Sequence, residues 1–245
     1  MTPPRLLLAS AIALVLAGCG AHAPGMGNAS TPNADGSYRV LSDVSTASGG
    51  ELLHLRPRGG VLSAERTTSG GTPTAGGVAI AQGERLYLAL GPRAASVDLI
   101  VLQRVDAGVV GTWAYGARGG AGTEAWSGTV SDADPFVGTF ETNGVDAESH
   151  EAYAGTVTVT REGDLYRVHW VTGEIVCEGT GFVDDDVLVV VGRGDPDTQG
   201  SPSFAAGDVG VAAYRREGTR YLGTFLLVRA NGAYDRGSEE LTPER

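Results

Sequence analysis

The 245 residues carry 18 arginines, no lysine and 29 acidic side chains, a formal charge of −11. A surface this acidic does not neutralise phosphates, which excludes nucleic acid as a partner; the missing lysine excludes a Walker-type loop, an S-x-x-K serine site and a Schiff base. An apolar fraction of 42% and 38 glycines, scattered among short Val, Leu, Tyr and Thr runs with no sustained 3.6-residue period, predict an all-β chain with ample core.

Residues 1–18 read as a signal peptide: Arg5 precedes the apolar run LLLASAIALVLAG, which is short for a bilayer crossing. The run ends in Leu16, Ala17, Gly18 and Cys19, and this resembles the lipobox of bacterial lipoproteins, where small residues admit the peptidase ahead of a lipid-modified cysteine. The resemblance implies acylation of Cys19, membrane lipid as a partner, and stable anchorage in the bacterial cell envelope by two or more acyl chains. Gly20 rather than Asp follows, the pattern sorted to the outer membrane in Gram-negative hosts. Residues 19–35, rich in Gly, Pro, Asn and Ser, form a flexible tether spanning on the order of 20 Å as a coil.

Beyond the tether the chain repeats itself. VDLIVLQRVDAGVVGTW at 97–113 returns without a gap as VGVAAYRREGTRYLGTF at 209–225, keeping Val97/Val209, Arg104/Arg216, Gly111/Gly223 and Thr112/Thr224. Gly36 and Gly138 open the two copies, Gly77 and Gly179 each follow 41 residues later, and Thr123-Glu124 and Ser238-Glu239 close them. The copies, 36–130 and 137–243, each hold about eight strand-like runs at hairpin spacing. Two tandem eight-stranded up-and-down meanders, each closed into a barrel to remove its edges, are the predicted fold. Gly111 and Gly223 are expected where a coiled sheet bends. The runs LYLAL at 86–90, LIVL at 99–102 and VLVVV at 187–191 are apolar on both faces, so one barrel is expected to pack on the other; the rival is a sixteen-stranded membrane pore.

The second copy, through YAGTVTVT, LYRVHW, VLVVVG and YLGTF, resembles a module of poorly characterised bacterial lipoproteins, some described as fibronectin-binding, and more loosely the meander barrels of the avidin and lipocalin class. That resemblance implies architecture only. In LYRVHWV, Tyr166, Val168 and Trp170 share the inward face, either as plain core or as the aromatic wall of a ligand cup. His169 and His54 fall on outward faces. ESHEAYAG is a near miss to H-E-x-x-H, with Ala154 where the second histidine is required. Cys177 reads as a buried structural thiol. The copies differ most at 193–208, an insertion that holds Asp195, Asp197 and Asp208, candidate calcium ligands or a solvated acidic loop, and the tripeptide RGD; the acidic run 184–186 lies at the opposite end of the adjoining strand. No nucleophile, base and orienter assemble and no cofactor is implied. The expectation is a non-catalytic envelope module that binds another envelope or extracellular protein, the alternative a small-ligand carrier or enzyme with its site in a barrel mouth.

Overall fold

Period-two alternation of apolar and polar residues builds sixteen strands in the computed structural model, which describes residues 34–244 apart from 44–49, 95–96, 107, 117–118, 129–132, 147–148 and 194–206. The first five are β1 (Gly36–Ser42), β2 (Glu51–Arg58), β3 (Val61–Thr68), β4 (Pro73–Gln82) and β5 (Arg85–Gly91). The next eight are β6 (Asp98–Val105), β7 (Gly108–Tyr115), β8 (Gly122–Ser127), β9 (Gly138–Val145), β10 (Ala152–Glu162), β11 (Leu165–Thr172), β12 (Ile175–Asp184) and β13 (Val187–Arg193). The last three are β14 (Val209–Glu217), β15 (Arg220–Val228) and β16 (Tyr234–Pro243). They close, as the sequence predicts, into two eight-stranded antiparallel barrels rather than one sixteen-stranded pore.

The barrels do not coincide with the repeats. One, the continuous barrel, is the uninterrupted meander β6–β13, sealed where β13 pairs with β6. The other, the split barrel, joins β1–β5 to β14–β16 and is sealed by β5 with β14 and β1 with β16. The boundaries 36–130 and 137–243 are therefore corrected: each repeat gives five strands to one barrel and lends its last three to the other. The exchange is symmetric to the residue, since Tyr87 faces Ala213 where Val189 faces Val101 in the other barrel. Its physical basis is the likeness of the repeats, which lets a three-strand arm find the same ladder in either place. The chain passes from one barrel to the other between β5 and β6 and again between β13 and β14.

Three apolar clusters follow. Leu53, Leu88 and Tyr214 belong to the interior of the split barrel, and Leu102, Trp126 and Phe140 to that of the continuous one. The third cluster lies between them. Leu86, Leu88 and Leu90 point into the split barrel while Tyr87 and Ala89 point at its neighbour; Leu188 and Val190 point into the continuous barrel while Val187, Val189 and Val191 point back. The two-faced strands are thus covered on both sides, each buried Val or Leu contributing on the order of 1.5–3 kcal/mol. Gly223 marks a tight bend: a Cβ there would lie 2.0 Å from the Ala213 carbonyl oxygen.

Polar contacts align the barrels. Arg85 and Arg215 of the split barrel both reach Asp185 in the β12–β13 turn, and Arg85 also takes Asp184. Asp185 has a φ of 55°, where the matching β4–β5 turn uses Gly83 at 57°. The second repeat thus keeps a side chain in a conformation that favours glycine, and that side chain docks the barrels.

Candidate functional site at the mouth of the split barrel

Each repeat ends with a glutamate two residues before a large apolar side chain, Glu124 before Trp126 and Glu239 before Leu241. Alternation turns both glutamates inward, and both are buried. Because the repeats exchange their last strands, Glu239 sits in the split barrel and Glu124 in the continuous one.

In the continuous barrel four neutral donors converge on Glu124. Trp126 and Trp170 give it their indole N–H groups, the latter at 2.9 Å, and the hydroxyls of Thr142 and Tyr153 donate at 2.8 and 3.1 Å. Burial first, then the Glu124 charge, pushes the Tyr153 phenol well above its ordinary range, so it stays a donor. Trp113 stacks edge-on with Tyr115 and Tyr153, centroids 4.8 and 6.3 Å apart, and fills this end.

In the split barrel the register position of Trp170 is taken by Arg66. Its Nη2 donates to both oxygens of Glu239 at 2.9 Å, Glu51 lies 3.6 Å from Nη1, and the guanidinium lies over the Phe225 ring at 5.1 Å. Tyr214 donates to Glu239 from beneath. Burial opposes the Arg66 charge, but Glu239, Tyr214 and Glu51 outweigh it and hold the guanidinium above its ordinary value. Burial and Glu239 likewise raise Tyr214. A bulge shapes the wall: Arg66 pairs with Ala75 and Thr67 with Pro73, leaving Thr74 as the extra residue, whose hydroxyl donates to the Arg66 carbonyl at 3.1 Å.

Above this floor a cleft of about 480 Å³ opens between Phe225, Leu90, Leu227 and Pro92, with Asp208 and Arg229 on its rim. Gly210 sits against the face of Phe225, where a Cβ would come within 2.3 Å of the ring, and keeps the passage open. Gly36 pairs with Leu55 and Val40 with Glu51, so the chain enters this barrel at the end opposite the cleft.

The residues singled out in the sequence do not gather here. Tyr166 and Trp170 are inside the continuous barrel but at opposite ends of β11: Trp170 serves Glu124, while Tyr166 donates to Asp134 at 2.7 Å, which burial and that carboxylate answer by raising the phenol to about 12. Both are buried in the continuous barrel's core, and Tyr166 also lines a recess at its end. A smaller recess of about 290 Å³ lies at the Tyr166 end, where Arg161 closes on Asp134 at 2.9 Å. Asp208 is held by the Ala230 N–H at 3.1 Å and by Arg229 at 3.0 Å, which keep its carboxyl below the ordinary range. Asp195, Asp197 and Cys19 lie outside the described residues. His169 is exposed beside Glu178, and His54, outward as expected between the inward Leu53 and Leu55, is half-buried between the hydroxyls of Ser37 and Thr67 at 2.8 and 3.2 Å. Cys177 is half-buried, its thiol pushed to about 11 by burial and then Asp98, and packs against the continuous barrel's core. Arg66 and Glu51 escaped sequence reading; the available signal was an arginine on the same face as Ala64 in a short strand.

No protein-family model matches the chain, and no curated protein matches it. Among solved structures, a porin-like protein from Bacteroides uniformis ATCC 8492 is similar over 86% of this chain and 97% of that chain, with 8% sequence identity and a TM-score of 0.22.

Proposed function

We propose that this is a bacterial envelope lipoprotein, anchored through acylated Cys19, that works as a non-catalytic binding module through the mouth of its split barrel. The observation that carries the binding reading is the divergence of two equivalent mouths: one is filled by Trp113, Tyr115 and Tyr153, the other holds a cleft of about 480 Å³. The charged groups on the cleft floor are engaged with one another, which suits recognition rather than proton transfer. The sequence Leu16-Ala17-Gly18-Cys19 supports the anchor, and a tether joining the barrel at Gly36 leaves the cleft facing away from its attachment.

Fatty-acid labelling should mark the wild type and not Cys19→Ser; equal label in both, or none in either, sinks the anchor. A photo-crosslinking residue at Leu227, on the cleft wall, should capture a partner that the same residue at the exposed Arg56 does not. Equal capture moves the binding surface elsewhere, and turnover of any bound molecule overturns the non-catalytic reading.

A further inference from the structure

We propose that the cleft takes an organic cation, an ammonium or guanidinium group on an apolar stem; this rests on the binding reading above and names its ligand chemistry. The two arginines that line the cleft among the described residues are each shared by two carboxylates: Arg66 by Glu239 at 2.9 Å and Glu51 at 3.6 Å, and Arg229 by Asp208 at 3.0 Å and Asp235 at 2.7 Å. Two guanidiniums are thus answered by four carboxylates. In a recess with low-dielectric walls that excess focuses a potential that favours a positive guest.

The second carboxylate at the floor occurs only where the mouth is open. At the register position of Glu51 the continuous barrel has Gly155, and its Glu124 is satisfied by neutral donors beneath a plug of aromatic rings. Neutralising Glu239 needed Arg66 alone; Glu51 restores a negative charge on the cleft side. Phe225, Leu90 and Leu227 supply apolar wall for a stem.

The test is an NMR titration of the full chain, reading the amide resonances of Gly91 and Gly210, with four probes: butylguanidinium, butanol, butanoate and the capped tripeptide acetyl-Gly-Arg-Gly-amide. Saturable shifts with butylguanidinium show that the group alone suffices; saturation by the tripeptide only assigns the guest to a basic side chain of a partner protein. Glu51→Gln and Asp208→Asn should each weaken binding about tenfold, with the indole resonances of Trp126 and Trp170 unmoved as the control for folding. Butanoate or butanol binding as well as the cations overturns the cationic assignment and leaves the binding reading standing. If no probe shifts Gly91 or Gly210, the proposal fails, and the Leu227 crosslink alone then decides whether the cleft binds anything.

Discussion

Glu124 and Glu239 hold the same place in the two repeats and are kept in opposite ways. Four neutral dipoles surround the first, and a guanidinium answers the second. Dipoles must crowd the carboxylate from every side, so the aromatic donors that satisfy Glu124 also seal the barrel above it. A single guanidinium nitrogen bridging both oxygens of Glu239, with the Tyr214 hydroxyl beneath, leaves room over it. Openness at one mouth and closure at the other thus go with the exchange of Trp170 for Arg66 and of the plug residues Trp113 and Tyr115 for Phe225 and Leu227.

The largest break of this comparison comes from cutting the chain. Residues 98–193, the whole continuous barrel, should give a β-type circular dichroism spectrum and a cooperative thermal transition when expressed alone, while residues 137–244, one complete repeat, should not. A cooperative transition in the second piece would contradict the strand exchange. Next in size, Arg66→Met leaves Glu239 buried without its cation and should cost about 3–5 kcal/mol in urea unfolding; adding Glu239→Gln should recover part of it, and simple additivity would show that the two do not act as a pair. Glu124→Gln turns an amide nitrogen toward donors that need an acceptor, and should cost less, about 1–3 kcal/mol. Equal losses at the two sites would erase the distinction between them.

The smallest effect is expected at Asp185→Gly, which loses the contacts to Arg85 and Arg215 but relieves a φ of 55°. Arg85 first, then Arg215, holds the Asp185 carboxyl below its ordinary 3.8. Its folded value being depressed, the stabilisation is present above the unfolded value and is lost as pH falls through the folded one. The variant should therefore melt slightly below the wild type at neutral pH and at or above it in acid, once the Asp185 carboxylate is protonated. A difference that does not change with pH would remove the ion pair from the docking of the barrels.

The barrels were legible and their membership was not. Gly36, Gly77, Gly138 and Gly179 keep the same spacing whether each repeat closes on itself or lends three strands, and β5 offers the same alternating Leu face to β6 or to β14. Packing between barrels was legible too, because LYLAL and VLVVV have no polar face to give to water. The cleft was hidden for a different reason. An arginine in a short strand reads as solvated until the residue opposite it is known, and Glu239 lies 173 positions away. The insertion at 193–208 did point near the place, since its flanking Asp208 forms part of the rim.

Strand ownership also sets an order of events. A chain made from its N-terminus delivers β1–β5 first, five strands with two bare edges, and those edges meet no partner until β14–β16 arrive at the very end. The continuous barrel, complete once β13 has emerged, can close in the interval and present β13 and β6 as a preformed wall. For most of its synthesis the protein is a finished barrel trailing an open sheet that other edges could capture. A premature stop between β13 and β14 would leave it in that state.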